Sequence, residues 1–342
     1  MTLDDSQMEP LLIQHHIPKT AGTSIRQVTR ANYKSSEVVG IDWWTKPFSR
    51  LVSVEASRVR QPDGTVDWES LTVARTTMVD AARDYYRALP HRQRVRCFMG
   101  HLAGFLLPVV NDRPVRAACM LRDPVDRVVS LIRWAEWSTA QRGDDRGETS
   151  VVVQAMRSRG WTLKDVYHEL GGSGALPTEL SLPFGRLFNG QARHLLASAS
   201  DSNDMPFTAG GEDLEAYRGR VLELLQERYV VGAQDRFLQS LRLFADSFGW
   251  RHVFVPTARR GPRPEHTVRI DDETRALIRA HNTLDSELHA HFSDRLRLSP
   301  SVTAPARFRG SVYFRFDGAR RALRRRTRGR LRRLLTASRG RP

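Results

Sequence analysis

Residues 11–24 read LLIQHHIPKTAGTS and predict a strand, a tight turn and a helix in direct succession. Leu11 to Ile13 form a short apolar run that is typical of a strand. Pro18 to Gly22 indicate a turn, and the helix is expected to begin near Thr23. In such a unit the N–H groups of the loop and of the first helical turn point at one spot, where the helix dipole adds positive potential. The stretch therefore predicts a binding site for an anion.

The side chains of this loop suit the same purpose. Lys19 adds a full positive charge, and only four of the 54 Lys and Arg residues of the chain are Lys. A compact ammonium suits a single bridging oxygen better than a forked guanidinium does. Ala21 and Gly22 let the backbone come close to a ligand. Further hydroxyl donors are expected from Thr20, Thr23 and Ser24. The alternative is a strand–turn–helix corner with a solvated lysine.

The loop does not have the Walker A pattern, G-x-x-x-x-G-K-[ST], in which the Lys follows the second Gly. Here Lys19 precedes the only Gly of the loop by three residues, and the pattern occurs nowhere else in the chain. An ordinary ATP- or GTP-dependent phosphotransferase is therefore disfavoured.

The composition indicates a globular protein with a substantial core. The chain has 342 residues, of which 40% are hydrophobic, but no run of eighteen apolar residues. Its first ten residues are acidic and lack a hydrophobic stretch. We therefore expect neither a membrane span nor a secretory signal. Cys97 and Cys119 lie in apolar segments, and we expect them to be reduced core residues of a cytoplasmic protein rather than a disulfide or a metal site.

The positive charge is concentrated at the C-terminus. Residues 307–341 contain fourteen Arg and one acidic residue, whereas the whole chain has a net charge of +16. We therefore expect one domain over residues 1–300 and an Arg-rich tail over 301–342. As a basic amphipathic helix, residues 307–341 would bind an anionic membrane surface, which places the protein at the inner face of the membrane. A disordered, solvated tail is the alternative. Aromatic residues are few there, so specific nucleic-acid binding is not expected.

Strands alternate with helices along the chain and predict an α/β fold with a mainly parallel central sheet flanked by helices. Residues 35–70 carry no clear pattern. Further strands are expected at 95–99, 115–121 and 229–232. Helices are expected at 24–33, 71–89, 125–139, 163–170, 186–197, 212–227 and 235–247, followed by one long helix over 271–295.

Two further strand ends carry polar chemistry, and ligands of open parallel sheets lie at the carboxyl ends of the strands. Arg122 ends one strand, and Ser130 follows eight residues later on the next helix. An Arg and a hydroxyl suit a phosphate monoester. His101 follows another strand, and a neutral imidazole there can accept a proton from an alcohol. The alternatives are a helix residue that packs on the sheet for Ser130 and a hydrogen-bonded structural histidine for His101.

These motifs together resemble a known enzyme family. HIPKTAGTS (16–24), GHLAGF (100–105) and LRDPVDRVVS (121–130) are similar to motifs of sulfotransferases that use 3′-phosphoadenosine 5′-phosphosulfate (PAPS). The likeness is to the branch that includes heparan sulfate 2-O-sulfotransferase and bacterial carbohydrate sulfotransferases. Three later stretches also resemble that branch, so the likeness spans about residues 11–295. They are FNGQARHLLA (188–197), YVVGAQDRFLQSL (229–241) and HNTLDSELH (281–289).

The resemblance implies a P-loop-nucleotide-kinase-like sulfotransferase fold and a set of functional residues. The loop from Lys19 to Ser24 would bind the 5′-phosphosulfate, and Arg122 with Ser130 would hold the 3′-phosphate. His101 matches the position of the proposed base, and Arg260 lies in a basic loop that would cover the nucleotide. Many relatives have TGGTS where this chain has TAGTS. We expect the Ala at position 21 to be tolerated unless that residue needs a positive φ.

The implied reaction transfers a sulfuryl group from PAPS to a hydroxyl of an acceptor, with adenosine 3′,5′-bisphosphate (PAP) as the product and without a metal. The acceptor is expected to be a carbohydrate or a glycolipid. Two alternatives stay open. One is a basic membrane- or nucleic-acid-binding protein with a catalytically inactive nucleotide fold, and the other is a nucleotide-dependent kinase.

Overall fold

The computed structural model describes residues 10–42, 45, 48, 69–142, 153, 156–171, 187–199, 214–256 and 270–298. Within these ranges five strands form one all-parallel sheet in the order β2-β3-β1-β4-β5. Helices flank the sheet, so the predicted α/β class with a parallel central sheet is confirmed. The strands are β1 (Leu11–His15), β2 (Val38–Gly40), β3 (Cys97–Gly100), β4 (Val115–Leu121) and β5 (Tyr229–Ala233).

The helices of the described ranges follow the predicted order closely. They are α1 (Gly22–Asn32), α2 (Glu69–Ala88), α3 (Pro124–Arg142), α4 (Leu163–Gly171), α5 (Gly190–Ala199), α6 (Leu214–Arg228), α7 (Phe237–Phe248), α8 (Asp272–Ala280) and α9 (Thr283–Leu298). Short 3-10 turns precede or connect several of them. Asp123 caps the start of α3, since its carboxylate accepts the N–H of Asp126 at 3.0 Å.

Side chains along the strands alternate between two buried faces, as a sheet that is covered on both sides requires. Leu11 and Ile13 of β1 pack with α2, α5, α6 and α9 on one face. Leu12, between them, packs with α1 and α7 on the other face. A third apolar cluster joins α3, α4 and α8. Cys97 and Cys119 are free, buried thiols of these cores, as expected from the sequence.

Two elements differ from the sequence expectation. Strand β2 was not predicted, because its three residues lie in the stretch without a clear pattern. The long helix predicted over 271–295 is wrong, because α8 ends at Ala280 and α9 begins at Thr283. Asn282 lies at the interruption between these two helices. Its side chain donates to the Ile278 carbonyl at 2.8 Å and accepts the N–H of Asn189 at 2.6 Å.

The strand order opens a crevice between β1 and β4. The chain leaves β1 towards β2 on one side, whereas from β3 it crosses to β4 and then β5 on the other side. The segments that follow β1 and β4 therefore diverge at the carboxyl edge of the sheet, where open parallel sheets bind their ligands. The loop of residues 16–21 and Arg122 border this crevice.

Helices α5 and α9 cap each other. The carboxylate of Asp285, on the first turn of α9, accepts the N–H groups of Gln191 and Ala192 at 3.0 and 2.9 Å. In return the side chain of Asn189, before α5, accepts the N–H of Asp285 at 2.9 Å. Arg127 of α3 lies 3.8 Å from the same carboxylate, and both side chains are almost fully buried. One buried carboxylate thus fixes α5 against α9 and α3.

No helix within the described residues is long and apolar enough to cross a membrane. The Arg-rich tail, residues 301–342, lies outside the described residues, and so does the boundary expected at residue 300.

Asp285→Ala is expected to lower the free energy of unfolding by about 3–5 kcal/mol. The change removes the acceptor of two helix N–H groups and deprives the buried Arg127 of its carboxylate. Urea denaturation monitored by circular dichroism measures the loss. Asp294→Ala is the matched control, because Asp294 lies on the same helix in an exposed pair with Arg297. This control is expected to change stability by less than about 1 kcal/mol. Equal losses in the two variants would contradict the account.

Candidate functional site

The loop after β1 has an unusual backbone. Lys19 and Ala21 both have φ of 69°, in the left-handed region that residues other than Gly rarely adopt. Ala21 is the N-cap of α1, and no side chain caps this helix end. Its first N–H groups are therefore not used by a side-chain cap, and the positive end of the helix dipole faces the crevice. Strained residues of this kind cluster at active sites and in ligand-binding loops.

Position 21 has a positive φ, which is the conformation in which an Ala is strained. Gly adopts this conformation without cost, whereas Ala is strained by about 1 kcal/mol. The Ala at position 21 is therefore expected to lower the stability of the loop relative to a Gly.

The hydroxyl groups of the loop differ in their surroundings. Thr20 is buried, and its hydroxyl donates to the Ile17 carbonyl at 2.9 Å. This hydroxyl therefore holds the loop together. Thr23 is exposed and Ser24 is half-buried, at the start of α1.

Lys19 and Arg122 come together across the crevice. The Arg122 Nη1 donates to the Lys19 carbonyl at 3.2 Å, although the two residues are 103 positions apart. Among the described residues neither side chain forms an ion pair. The Nε of Arg122 is buried and has no hydrogen-bond partner. Burial, followed by the charge of Arg122, lowers the pKa of Lys19 to about 8. Such a concentration of positive charge suits a polyanionic ligand.

Trp134 of α3 is a site residue that the sequence analysis missed. The Lys19 ammonium lies over its indole ring, 5.3 Å from the ring centroid, and the side chain is 39% exposed. Ser130 precedes Trp134 by one helical turn, so both lie on the face of α3 that is turned to the loop. Ser130 is half-buried there. The helix therefore brings the predicted hydroxyl to the same side as Lys19.

His101 lies next to the loop at the end of β3. Its Nδ1 is 2.8 Å from the His16 carbonyl, which can only accept, so Nδ1 carries the hydrogen. The lone pair of the neutral ring is then on Nε2, which can accept a proton. The rings of His101 and His16 stack at 4.0 Å. Burial, followed by the charge of His101, holds the pKa of His16 well below its usual value.

Gly22 is required by the His16 ring. A Cβ at position 22 would lie 1.7 Å from the Cδ2 of His16, which is far too close. The glycine of the loop therefore admits the imidazole against the start of α1. The Nδ1 of His16 is buried there and has no hydrogen-bond partner. A small cavity, which Gln14 and Thr20 also line, lies beside this ring.

His15 fills the interior behind the loop. Its Nε2 is 3.0 Å from the Ser198 hydroxyl, which donates its own hydrogen to the His194 carbonyl. Ser198 therefore accepts from His15, and the Tyr229 hydroxyl donates to Nδ1 at 2.9 Å. Burial, followed by the charge of His101, lowers the pKa of His15 to about 3. This imidazole is a neutral structural residue.

The backbone of Arg122 is held by a side chain that sequence reasoning missed. The Gln191 amide accepts the N–H of Arg122 at 2.9 Å and donates to its carbonyl at 2.8 Å. Gln191 is itself fixed by Asp285, as described above. Gln191 and Asp285 lie in two of the stretches, 188–197 and 281–289, on which the resemblance noted above depends. Their roles could not be read from these stretches, because their partners are distant in the sequence.

The structure thus brings together Lys19, Ala21, Gly22, His101 and Arg122, with Thr20, Thr23 and Ser24 in the same loop and Ser130 on the facing helix. Arg260 and its basic loop lie outside the described residues. Within the described part of the chain, no group of three His, Cys, Asp or Glu side chains is arranged to hold a metal ion.

No family model matches the chain, and no curated protein matches it significantly.

Ala21→Gly is expected to raise the free energy of unfolding by about 1 kcal/mol, because Gly adopts a φ of 69° without strain. Thermal and urea denaturation measure the change. The control is Ala31→Gly in the last turn of the same helix, where φ is negative and Gly is expected to give no gain in stability. A loss of stability in both variants would show that position 21 is not strained.

Stability is expected to fall as the pH decreases from about 6.5 towards 3, because the unfolded chain protonates His15 and the folded chain does not. One such group contributes a slope of about 1.4 kcal/mol per pH unit. His15→Gln keeps both hydrogen-bonding functions but does not titrate, so its stability is expected to fall less steeply between pH 6 and 5. Between pH 8 and 7 the two proteins should have the same slope. An unchanged slope at acid pH would show that His15 is protonated in the fold.

Proposed function

We propose that the protein is a PAPS-dependent sulfotransferase that acts on a hydroxyl of a carbohydrate or glycolipid. The observation that carries the proposal is the meeting of Lys19 and Arg122 at the crevice between β1 and β4, beside His101. The motifs that these residues belong to resemble those of that enzyme family.

The donor set fits a nucleotide with phosphates at two positions. The uncapped start of α1 and the Lys19 ammonium suit the 5′-phosphosulfate, since helix N-termini and ammonium groups both bind such anions. Arg122 has a buried Nε without a partner, and a guanidinium binds a phosphate monoester well. Ser130 adds a hydroxyl on the facing helix. PAPS carries a 3′-phosphate that ATP lacks, and Arg122 would distinguish the two.

His101 would act as the general base. With Nδ1–H bound to the His16 carbonyl, its Nε2 would take the proton of the acceptor hydroxyl while that oxygen attacks sulfur. The new O–S bond forms as the bond from sulfur to the bridging oxygen breaks. The proton stays on His101, and the electron pair of the broken bond leaves with the 5′-phosphate.

Lys19 would stabilise the leaving oxygen. A positively charged ammonium and the loop N–H groups are fixed before the reaction, and preorganised groups of this kind are often the largest contribution to catalysis. With a pKa of about 8 in the structure, Lys19 is largely protonated at pH 7, and an anion beside it would favour the charged form further. Contact with Trp134 holds the ammonium in place.

Adenosine 3′,5′-bisphosphate is expected to stabilise the protein against heat, by about 2.7 kcal/mol at a hundred times its Kd. ATP at the same concentration is expected to have little effect, because it lacks the 3′-phosphate. Arg122→Ala should weaken the bisphosphate effect strongly. Arg116→Ala is the control, because Arg116 is exposed at the opposite end of the same strand. Stabilisation by ATP alone would favour a kinase. No stabilisation by either nucleotide would contradict the proposal that the protein binds PAPS.

His101→Ala is expected to lower the rate of sulfuryl transfer from PAPS by about 10²–10⁴-fold while bisphosphate binding is kept, because only the base is lost. Lys19→Ala is expected to impair both rate and binding. Transfer of radioactive sulfate from PAPS to saccharide acceptors measures the rate, and calorimetry measures binding. His291→Ala, an exposed residue of α9, is the control. Full activity of His101→Ala would exclude it as the base.

A further inference from the structure

Asp42 is a buried carboxylate that the sequence analysis did not single out. It follows β2, and its side chain is 4% exposed. Its Oδ1 accepts the backbone N–H of His101 at 3.1 Å. Its Oδ2 accepts from the Nη2 of Arg26, on α1, at 2.8 Å. One carboxylate therefore connects the residue proposed as the base with α1, the helix that follows the loop of residues 16–21.

The backbone around this contact has little freedom. Gly100, directly before His101, has φ of 145°, and a Cβ there would lie 2.0 Å from the Ile41 carbonyl oxygen. The N–H of Asp42 donates to the Thr45 hydroxyl at 3.0 Å, so the end of β2 is fixed as well. The chain passes from β3 to His101 through a conformation that only Gly adopts easily.

The ring of His101 is held from a second direction. Its Nδ1–H donates to the carbonyl of His16, the first residue of the loop after β1. Asp42 fixes the backbone of His101 and His16 fixes its ring, so the direction of Nε2 follows from both contacts. Because Arg26 lies on α1, the position of His101 is tied to the same helix whose start faces the crevice.

We propose that Asp42 is a positioning residue that, held by Arg26, fixes the backbone of His101 so that Nε2 is directed to the reacting hydroxyl. This role in catalysis rests on the proposed function. A displacement of about 1 Å in a catalytic group can cost about a hundredfold in rate, so a buried charge-assisted contact at this place has a kinetic consequence.

Asp42→Asn is expected to lower kcat for sulfuryl transfer about 10–100-fold and to leave the KM for PAPS within about twofold. The Asn side chain can still accept the His101 N–H, but its amide N–H₂ faces the Arg26 guanidinium, which is also a donor. The ion pair between positions 26 and 42 is therefore broken. In a His101→Ala background the same change is expected to have no further effect, because no base remains to be positioned. A purely structural role would give the same loss in both backgrounds and would overturn the proposal.

Arg26 provides a second pair of variants if Asp42→Asn does not fold. Arg26→Leu removes the donor to Asp42 and is expected to lower kcat as Asp42→Asn does. Arg26→Gln keeps a donor and should retain more of the activity. Asp112→Asn is the control, because the Asp112 carboxylate also pairs with an arginine, Arg92, and accepts from the Tyr86 hydroxyl, but it lies before β4, away from His101. Equal kcat in Arg26→Leu, Asp112→Asn and the wild type would overturn the proposal.

A measurement without turnover separates this proposal from the proposed function. Nitrogen NMR of the histidine rings reports which nitrogen of His101 carries the hydrogen. The wild type is expected to show the Nδ1–H form, and Asp42→Asn to shift His101 towards the Nε2–H form that free imidazole side chains favour. This shift in a protein that does not transfer sulfate would disprove the proposed function and keep Asp42 as a positioning residue. An unchanged ring form together with unchanged kcat would disprove the positioning role.

Discussion

The hydrogen bond from the Arg122 guanidinium to the Lys19 carbonyl joins two strand ends that a sheet alone would leave diverging. The charge of Arg122 also lowers the pKa of the Lys19 ammonium, so the two cations are close enough to repel each other. The backbone of Arg122 is held in this position by other side chains. Gln191 bonds both backbone groups of Arg122, and Asp285 fixes Gln191 by capping the helix on which it lies. The buried polar network thus connects the packing of α5, α9 and α3 to the position of Arg122 at the crevice.

Much of this arrangement could be predicted from the sequence because it depends on local signals. The strands expected at 11–13 and 115–121 correspond closely to β1 and β4, and the helices expected at 24–33 and 125–139 to α1 and α3. The gathering of Lys19, His101 and Arg122 followed from one rule, that parallel strands end at the same edge of a sheet. These signals involve neighbouring residues, and tertiary contacts did not change them.

The remaining features could not be predicted because their causes lie far apart in the sequence. Asn282 divides a helical pattern by bonding a residue 93 positions away, and periodicity contains no trace of that contact. Asp42 follows a three-residue strand without an apolar pattern of its own. The positive φ of Ala21 is also a property of the folded loop, since Ala itself avoids this conformation. In each case a polar or strained residue is explained by its partner and not by its neighbours.

A crystal structure of the protein with adenosine 3′,5′-bisphosphate tests the central claim most directly, namely that this crevice holds a nucleotide with a 3′-phosphate. The account predicts the 5′-phosphate at the start of α1, within hydrogen-bond distance of the Lys19 ammonium and the N–H groups of Gly22 and Thr23. It predicts the 3′-phosphate on the Arg122 guanidinium, with the Nε of Arg122 no longer unpartnered. A bisphosphate bound away from β1 and β4, or a crevice without nucleotide density at saturating concentration, would contradict it.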